Sequence, residues 1–97
     1  MENFDPYVKD WDTESRTERA KAIANEIRTH IEINSNKKSA MEFGCGTGLV
    51  GFQFVDTFKS ITFVDSSSGM LEQVKRKLSK LNIQTASTLY CDFMPGY

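Results

Sequence analysis

Glu42-Phe43-Gly44-Cys45-Gly46-Thr47-Gly48 packs an acid and three glycines into seven residues. The run is too glycine-rich for the interior of a strand or helix. It reads as a tight turn in which a ligand can approach the backbone with no Cβ in the way. Ser39–Phe43 before it is a short apolar run and reads as a strand. Leu49–Phe58 after it is apolar nearly all round, which predicts a helix packed on a sheet. The N–H groups at the start of that helix open onto the same space as the turn. Asp65 stands 21 residues after Gly44, at the end of a second strand, Ser60–Val64, rich in β-branched and aromatic residues. Ends of adjacent parallel strands are neighbours, so Asp65 is expected beside the glycine turn. A carboxylate there can accept from two vicinal hydroxyls, and turn plus acid point to a nucleoside site.

The glycines alone do not choose the nucleoside. Gly46-Thr47-Gly48-Leu49-Val50-Gly51 also fits G-x-G-x-x-G, and Asp65 fits the acid of a dinucleotide site, so an NAD-type fragment is one reading. A P-loop is excluded, because Phe52 follows Gly51 where lysine is needed. Two features weigh against a dinucleotide. Glu42 adds a negative charge where a pyrophosphate would sit, and a long helix precedes the first strand.

That helix is read over 14–33, opened by Thr13 or by Ser15 with Glu18 as a capping box, with Ala20, Ile23, Ala24, Ile27 and Ile31 at helical spacing. The polar run 34–38 ends it. Ser66 to Ser68 offer an N-cap for another helix, whose apolar face is Met70, Leu71, Val74, Leu78 and Leu81. Ala86–Cys91 is a third strand. Strands alternating with helices predict an α/β fold with right-handed crossovers and a three-stranded parallel sheet.

Composition bounds the rest. The 97 residues are 39% hydrophobic, 26% charged and 11% aromatic, proportions of one small globular domain. Twelve Lys+Arg against thirteen Asp+Glu leave a charge of −1, too little field to draw nucleic acid or an anionic membrane. Cys45 and Cys91 are too few and too far apart for a disulfide scaffold or a CxxC zinc site, and no metal is expected. No signal peptide and no long apolar run stand out, which suits a cytoplasmic protein with free thiols.

Glu42 to Gly48 resembles motif I of the class I S-adenosylmethionine-dependent methyltransferases, an acid, x, then G-x-G-x-G. Phe63-Val64-Asp65-Ser66-Ser67-Ser68-Gly69-Met70-Leu71 is similar to the family's second segment, and Cys91-Asp92-Phe93 to its acidic loop over the adenine. Phe4-Asp5, Trp11-Asp12 and Arg19-Ala20 resemble the helix that precedes motif I in many small-molecule members. The resemblance implies S-adenosylmethionine as cofactor and methyl transfer to a small-molecule acceptor. Backbone at Gly44, Cys45, Gly46 and Gly48 would approach the methionine part, with Glu42 beside its ammonium. Asp65 would take the ribose hydroxyls, Ser66 or Met70 the adenine face, and Asp92 the adenine amino group, with Cys91 or Phe93 backbone beside it. The family's sheet usually has seven strands, with the first also pairing the fourth. The resemblance therefore implies a Rossmann-like N-terminal portion, one partial domain over 1–97, its three-stranded parallel sheet in the order 3-2-1 with flanking helices on both faces. Residues 1–36 would form a helical segment and 39–93 the cofactor-binding core, with the acceptor site elsewhere and no catalytic base assigned. The strand Ser39–Phe43 would then be an exposed edge open to self-association.

Plainer roles exist for the same residues. Asp65 could cap a helix, Met70 could be core, and Asp92 a solvated turn residue. His30 reads as a surface histidine, Trp11 as a packing anchor or part of the cofactor mouth, and a non-catalytic interaction module would keep the same fold.

Overall fold

The computed structural model describes residues 12–31 and 34–92. Phe4, Asp5, Trp11 and Phe93 lie outside the described residues. Helix α1 spans Glu14–Arg28. Thr13 caps it, its hydroxyl accepting from Arg16 N–H at 3.2 Å, so Thr13 and not Ser15 opens the helix. The helix stops at Arg28, short of the expected 33. The Thr29 hydroxyl turns back to donate to the Glu26 carbonyl at 2.7 Å, one of the local bonds by which threonine competes with helix continuation. Ala20 and Ala24 are the residues α1 buries.

Strands β1 (Ser39–Phe43), β2 (Ser60–Asp65) and β3 (Ala86–Tyr90) form a parallel sheet in the order β1-β2-β3, the expected order and fold class. Helix α2 spans Ser68–Lys80 between β2 and β3, capped by Ser67, whose hydroxyl accepts from Met70 N–H at 3.2 Å. Its face Leu71, Val74 and Leu78 is buried. Leu81, expected on that face, is the C-cap and is 61% exposed. Asn82 follows with φ of 55°, the left-handed conformation that asparagine tolerates after a helix.

The expected helix over Leu49–Phe58 is absent. A 3₁₀ turn at Gly51–Phe54 is followed by further turns, held by Phe52 N–H to Gly48 O, Gln53 N–H to Val50 O and Thr57 N–H to Phe54 O. Three phenylalanines, Val50, Val55 and Thr57 are poor helix formers, and Gly51 adds to that. The segment instead seats its rings on the sheet: Phe52 stacks on Phe63 with centroids 5.1 Å apart.

Helices on both faces were expected, but the described helices share one. Ala24 of α1, Phe54 of the 3₁₀ turn and Leu71, Val74 and Leu78 of α2 form a single core with Ile61 and Phe63 of β2. Two right-handed crossovers stepping in the same direction, β1 to β2 to β3, put both connections on the same side. Strand alternation and the register Phe43↔Val64↔Leu89 put Met41, Phe43, Val64 and Leu89 on the other face, where Met41, Phe43 and Leu89 stay exposed.

Candidate functional site

The parallel ladder brings the C-terminal ends of the three strands to one rim. Leaving β1, Gly44, Gly46 and Gly48 all have positive φ (64°, 60° and 81°), a backbone that other residues adopt at a cost of about 1–2 kcal/mol each. Alternating glycine is what this turn demands. A Cβ at Gly44 would meet nothing within 4 Å, so that face of the backbone is open to a ligand. Asp65 closes the other side. Its Oδ2 accepts from Gly46 N–H at 2.7 Å and its Oδ1 from Ser67 N–H at 2.8 Å. Cys91 N–H, just past β3, donates to the Asp65 carbonyl at 3.0 Å. Asp65 thus stands beside the glycine turn, as the sequence predicts, and the backbone leaving β3 reaches Asp65 from its other neighbour. Asp65 does not cap α2, a role that falls to Ser67; it ties two loops together. Each carboxylate oxygen keeps a further lone pair for another donor.

Glu42, at the foot of the turn, is half-buried, and its Oε1 is buried with no hydrogen-bond partner. Burial raises its pKa from 4.5 to about 7, the Gly51 backbone partly opposes this, and the Asp65 charge adds to it. The cause of the close packing is Gly51, where any Cβ would run into the Phe63 ring and stand 2.5 Å from Glu42 Oε1. Glu42 also lines an apolar cavity of about 240 Å³ with Ile27, Ala40, Val50, Phe54 and Ile61, on the helix-covered side of β1. That cavity does not include Gly44–Gly48 or Asp65. A second groove, about 220 Å³, lies between Arg16, Arg19 and Ile23 of α1 and Leu49 and Val50 beyond the turn.

Cys45 is buried, and burial, then the charges of Glu42 and Asp65, push its thiol up to about 12. Ser66 is exposed, Met70 half-buried, and Cys91 and Asp92 exposed. His30 is exposed and 3.6 Å from Glu26, away from the rim. No group of three or more His, Cys, Asp or Glu among the described residues could hold a metal ion.

Sequence reasoning missed one part of the site. Thr47, 2% exposed at the centre of the turn, donates its hydroxyl to Asp12 Oδ1, while Lys77 Nζ reaches Asp12 Oδ2 at 2.6 Å and the Thr47 carbonyl at 2.8 Å. Lys77 is on the last turns of α2 and its ammonium lies 5.2 Å above the Phe52 ring. Partners separated by 30, 35 and 65 positions leave no local signal in the chain.

The methyltransferase domain family matches residues 40–95. The chain belongs to that family. No curated protein matches it by sequence. Among solved structures it is similar to phosphoethanolamine N-methyltransferase 1 of Haemonchus contortus, in complex with phosphoethanolamine and S-adenosylhomocysteine. There the TM-score is 0.70 at 16% identity, over 92% of this chain and 20% of that one. It is also similar to coclaurine N-methyltransferase bound to N-methylheliamine and S-adenosylhomocysteine, with a TM-score of 0.64 at 19% identity, over 75% of this chain and 22% of that one. An S-adenosylmethionine-dependent methyltransferase from Clostridium acetobutylicum gives a TM-score of 0.57 at 17% identity, over 89% of this chain and 33% of that one. The chain thus spans between a fifth and a third of these proteins' lengths. At these identities the likeness is one of fold, a Rossmann-like methyltransferase sheet. Among the described residues no helix is long and apolar enough to cross a membrane.

Proposed function

We propose that the rim built from Gly44–Gly48, Asp65 and Cys91–Asp92 binds S-adenosylmethionine, and that the chain serves methyl transfer to a small-molecule acceptor. The observation that carries this reading is the Asp65 carboxylate held 2.7 Å from the Gly46 amide, with the Gly44 backbone open beside it. Glu42 favours a cationic cofactor over a dinucleotide. An acid at the foot of the turn suits an ammonium and opposes a pyrophosphate, whose charge would add to that of Asp65. In this reading Glu42 orients the ammonium and the backbone of Gly44, Cys45, Gly46 and Gly48 lies against the methionine part. Asp65 accepts from the ribose hydroxyls, Ser66 and Met70 flank the adenine, and Asp92 accepts from its amino group. The Cys91 backbone lies beside that group. Residues 39–93 are the binding core and 1–36 its flanking segment. The cofactor's sulfonium supplies an activated methyl group; the protein's task is to bind and orient it for in-line transfer. A net charge of −1 supplies no strong global field for nucleic acid, and the phosphoethanolamine and coclaurine enzymes, which share the fold, support a small acceptor. The family and its cofactor suit a cytoplasmic setting.

Titration with S-adenosylhomocysteine tests the reading. Asp65→Ala is expected to weaken binding by about 1.5–3 kcal/mol, the worth of hydrogen bonds to a charged group, with circular dichroism confirming the fold. NAD is expected to show no comparable binding. Equal affinity of wild type and Asp65→Ala for S-adenosylhomocysteine would refute the assignment.

A further inference from the structure

The glycine turn is not held by its own residues alone. Its central residue, Thr47, is gripped at two points by groups from opposite ends of the chain. The hydroxyl donates to Asp12 Oδ1, one residue before the Thr13 cap of α1, and the carbonyl accepts from Lys77 Nζ at 2.8 Å. The two grips are joined, because Lys77 Nζ and Asp12 Oδ2 form an ion pair at 2.6 Å. Both charged side chains are mostly shielded, at 25% and 32% exposed, and the Phe52 ring lies 5.2 Å below the ammonium. This is therefore not an ordinary surface pair of little consequence. Three residues close a ring through three contacts: hydroxyl to carboxylate, carboxylate to ammonium, ammonium to carbonyl.

A peptide flanked by glycines on both sides has few intrinsic restraints, since Gly46 and Gly48 can each rotate through regions closed to other residues. Fixing the Thr47 carbonyl on Lys77 and its hydroxyl on Asp12 removes that freedom. It holds the Gly46 amide toward Asp65, where the 2.7 Å bond is made. The same ring ties the segment before α1 to the last turns of α2, across the turn that lies between them.

We propose that Asp12 and Lys77 are positioning residues of the cofactor site, a charge-paired clamp that preorganises the Gly46-Thr47-Gly48 backbone for binding. The proposal rests on the cofactor reading above. Without the clamp the turn samples other conformations, and binding must then carry the entropy of ordering it.

The test uses the 97-residue chain with Asp12→Asn, Lys77→Met, the double variant and Lys77→Arg. S-adenosylhomocysteine affinity is measured by calorimetry, and hydrogen exchange of the Gly46 amide is measured in the ligand-free protein. Asp12→Asn and Lys77→Met are each expected to weaken affinity by about 5- to 30-fold and to speed Gly46 exchange, in line with loss of charge-assisted bonds. The double variant is expected to be no more than about twofold worse than Lys77→Met, because one ring is broken either way. Lys77→Arg, which keeps the charge and two donors, is expected to recover most of the affinity. Asp12→Asn is isosteric and near the surface, and keeps the test decisive should Lys77→Met fold poorly. Unchanged affinity and exchange in Asp12→Asn, with wild type binding normally, would overturn the clamp and leave the cofactor reading standing. Failure of wild type itself to bind would overturn both, and protected Gly46 exchange in that case would mark the ring as structural only.

Discussion

Glu42→Gln isolates the charge of the buried acid. The folded carboxyl has a pKa near 7 against 4.5 for the free group, so the native state holds a proton that the unfolded chain releases first. Below about pH 4.5 both states are protonated and nothing is lost. Between about 4.5 and 7 stability falls with rising pH, and above the folded value the full cost of the buried charge is present. Discounted for a carboxylate that is only half-buried, that cost is about 1–2 kcal/mol. Glutamine keeps the shape and removes the ionisation. Relative to wild type, Glu42→Gln is therefore expected to gain about 1–2 kcal/mol between pH 5 and pH 8, a rise in relative Tm of about 5–10 °C for a domain of this size. The cost of burying a neutral amide is the same at both pH values and cancels in the comparison. Paired thermal melts of the two proteins at pH 5, 6, 7 and 8 measure it. A gap that does not change with pH would show that Glu42 is already ionised or solvated in the folded protein, and the burial argument would fall.

Gly51→Ala sets helix propensity against packing. Were Leu49–Phe58 a helix, alanine would stabilise it by about 1 kcal/mol; because a Cβ there meets the Phe63 ring and Glu42, a loss of about 1–3 kcal/mol in urea unfolding is expected instead. The outer strand β1 carries Met41 at 51% and Phe43 at 65% exposure, so reversible self-association is expected in sedimentation equilibrium and a double Met41→Thr, Phe43→Thr variant should reduce it.

Much of the rim was legible because its signals are local. Glycines at alternate positions announce positive φ, an acid closing a β-branched run marks a strand end, and the serines before Met70 announce a cap. Alternation and handedness give the parallel sheet, while the order of its strands follows from the family resemblance. What escaped was set by contacts distant in sequence. Leu49–Phe58 is apolar enough for a buried helix, yet its rings are claimed one by one by Phe63 and Arg28, whose guanidinium lies 5.0 Å over Phe54. Thr47 looked like a spacer between glycines until Asp12 and Lys77 reached it. Leu81 kept the helical period but fell one residue past the helix. Propensity reads the residue; these outcomes belong to its partners.

The ladder between β1 and β2 also works as a ruler. It runs from Ser39↔Ser60, where the two hydroxyls meet at 2.8 Å, to Phe43↔Val64, and the next residues on each strand are Gly44 and Asp65. A slip of one position anywhere along it would shift Gly46 relative to Asp65 by about 3.3 Å and turn Glu42 to the opposite face. Insertions in the crossover at 55–59 leave that phase untouched, while a single residue gained or lost within either strand abolishes the 2.7 Å bond at the far end. The part of the chain least tolerant of changes in length is therefore its plainest, the five residues of β1, of which only Glu42 belongs to the proposed site.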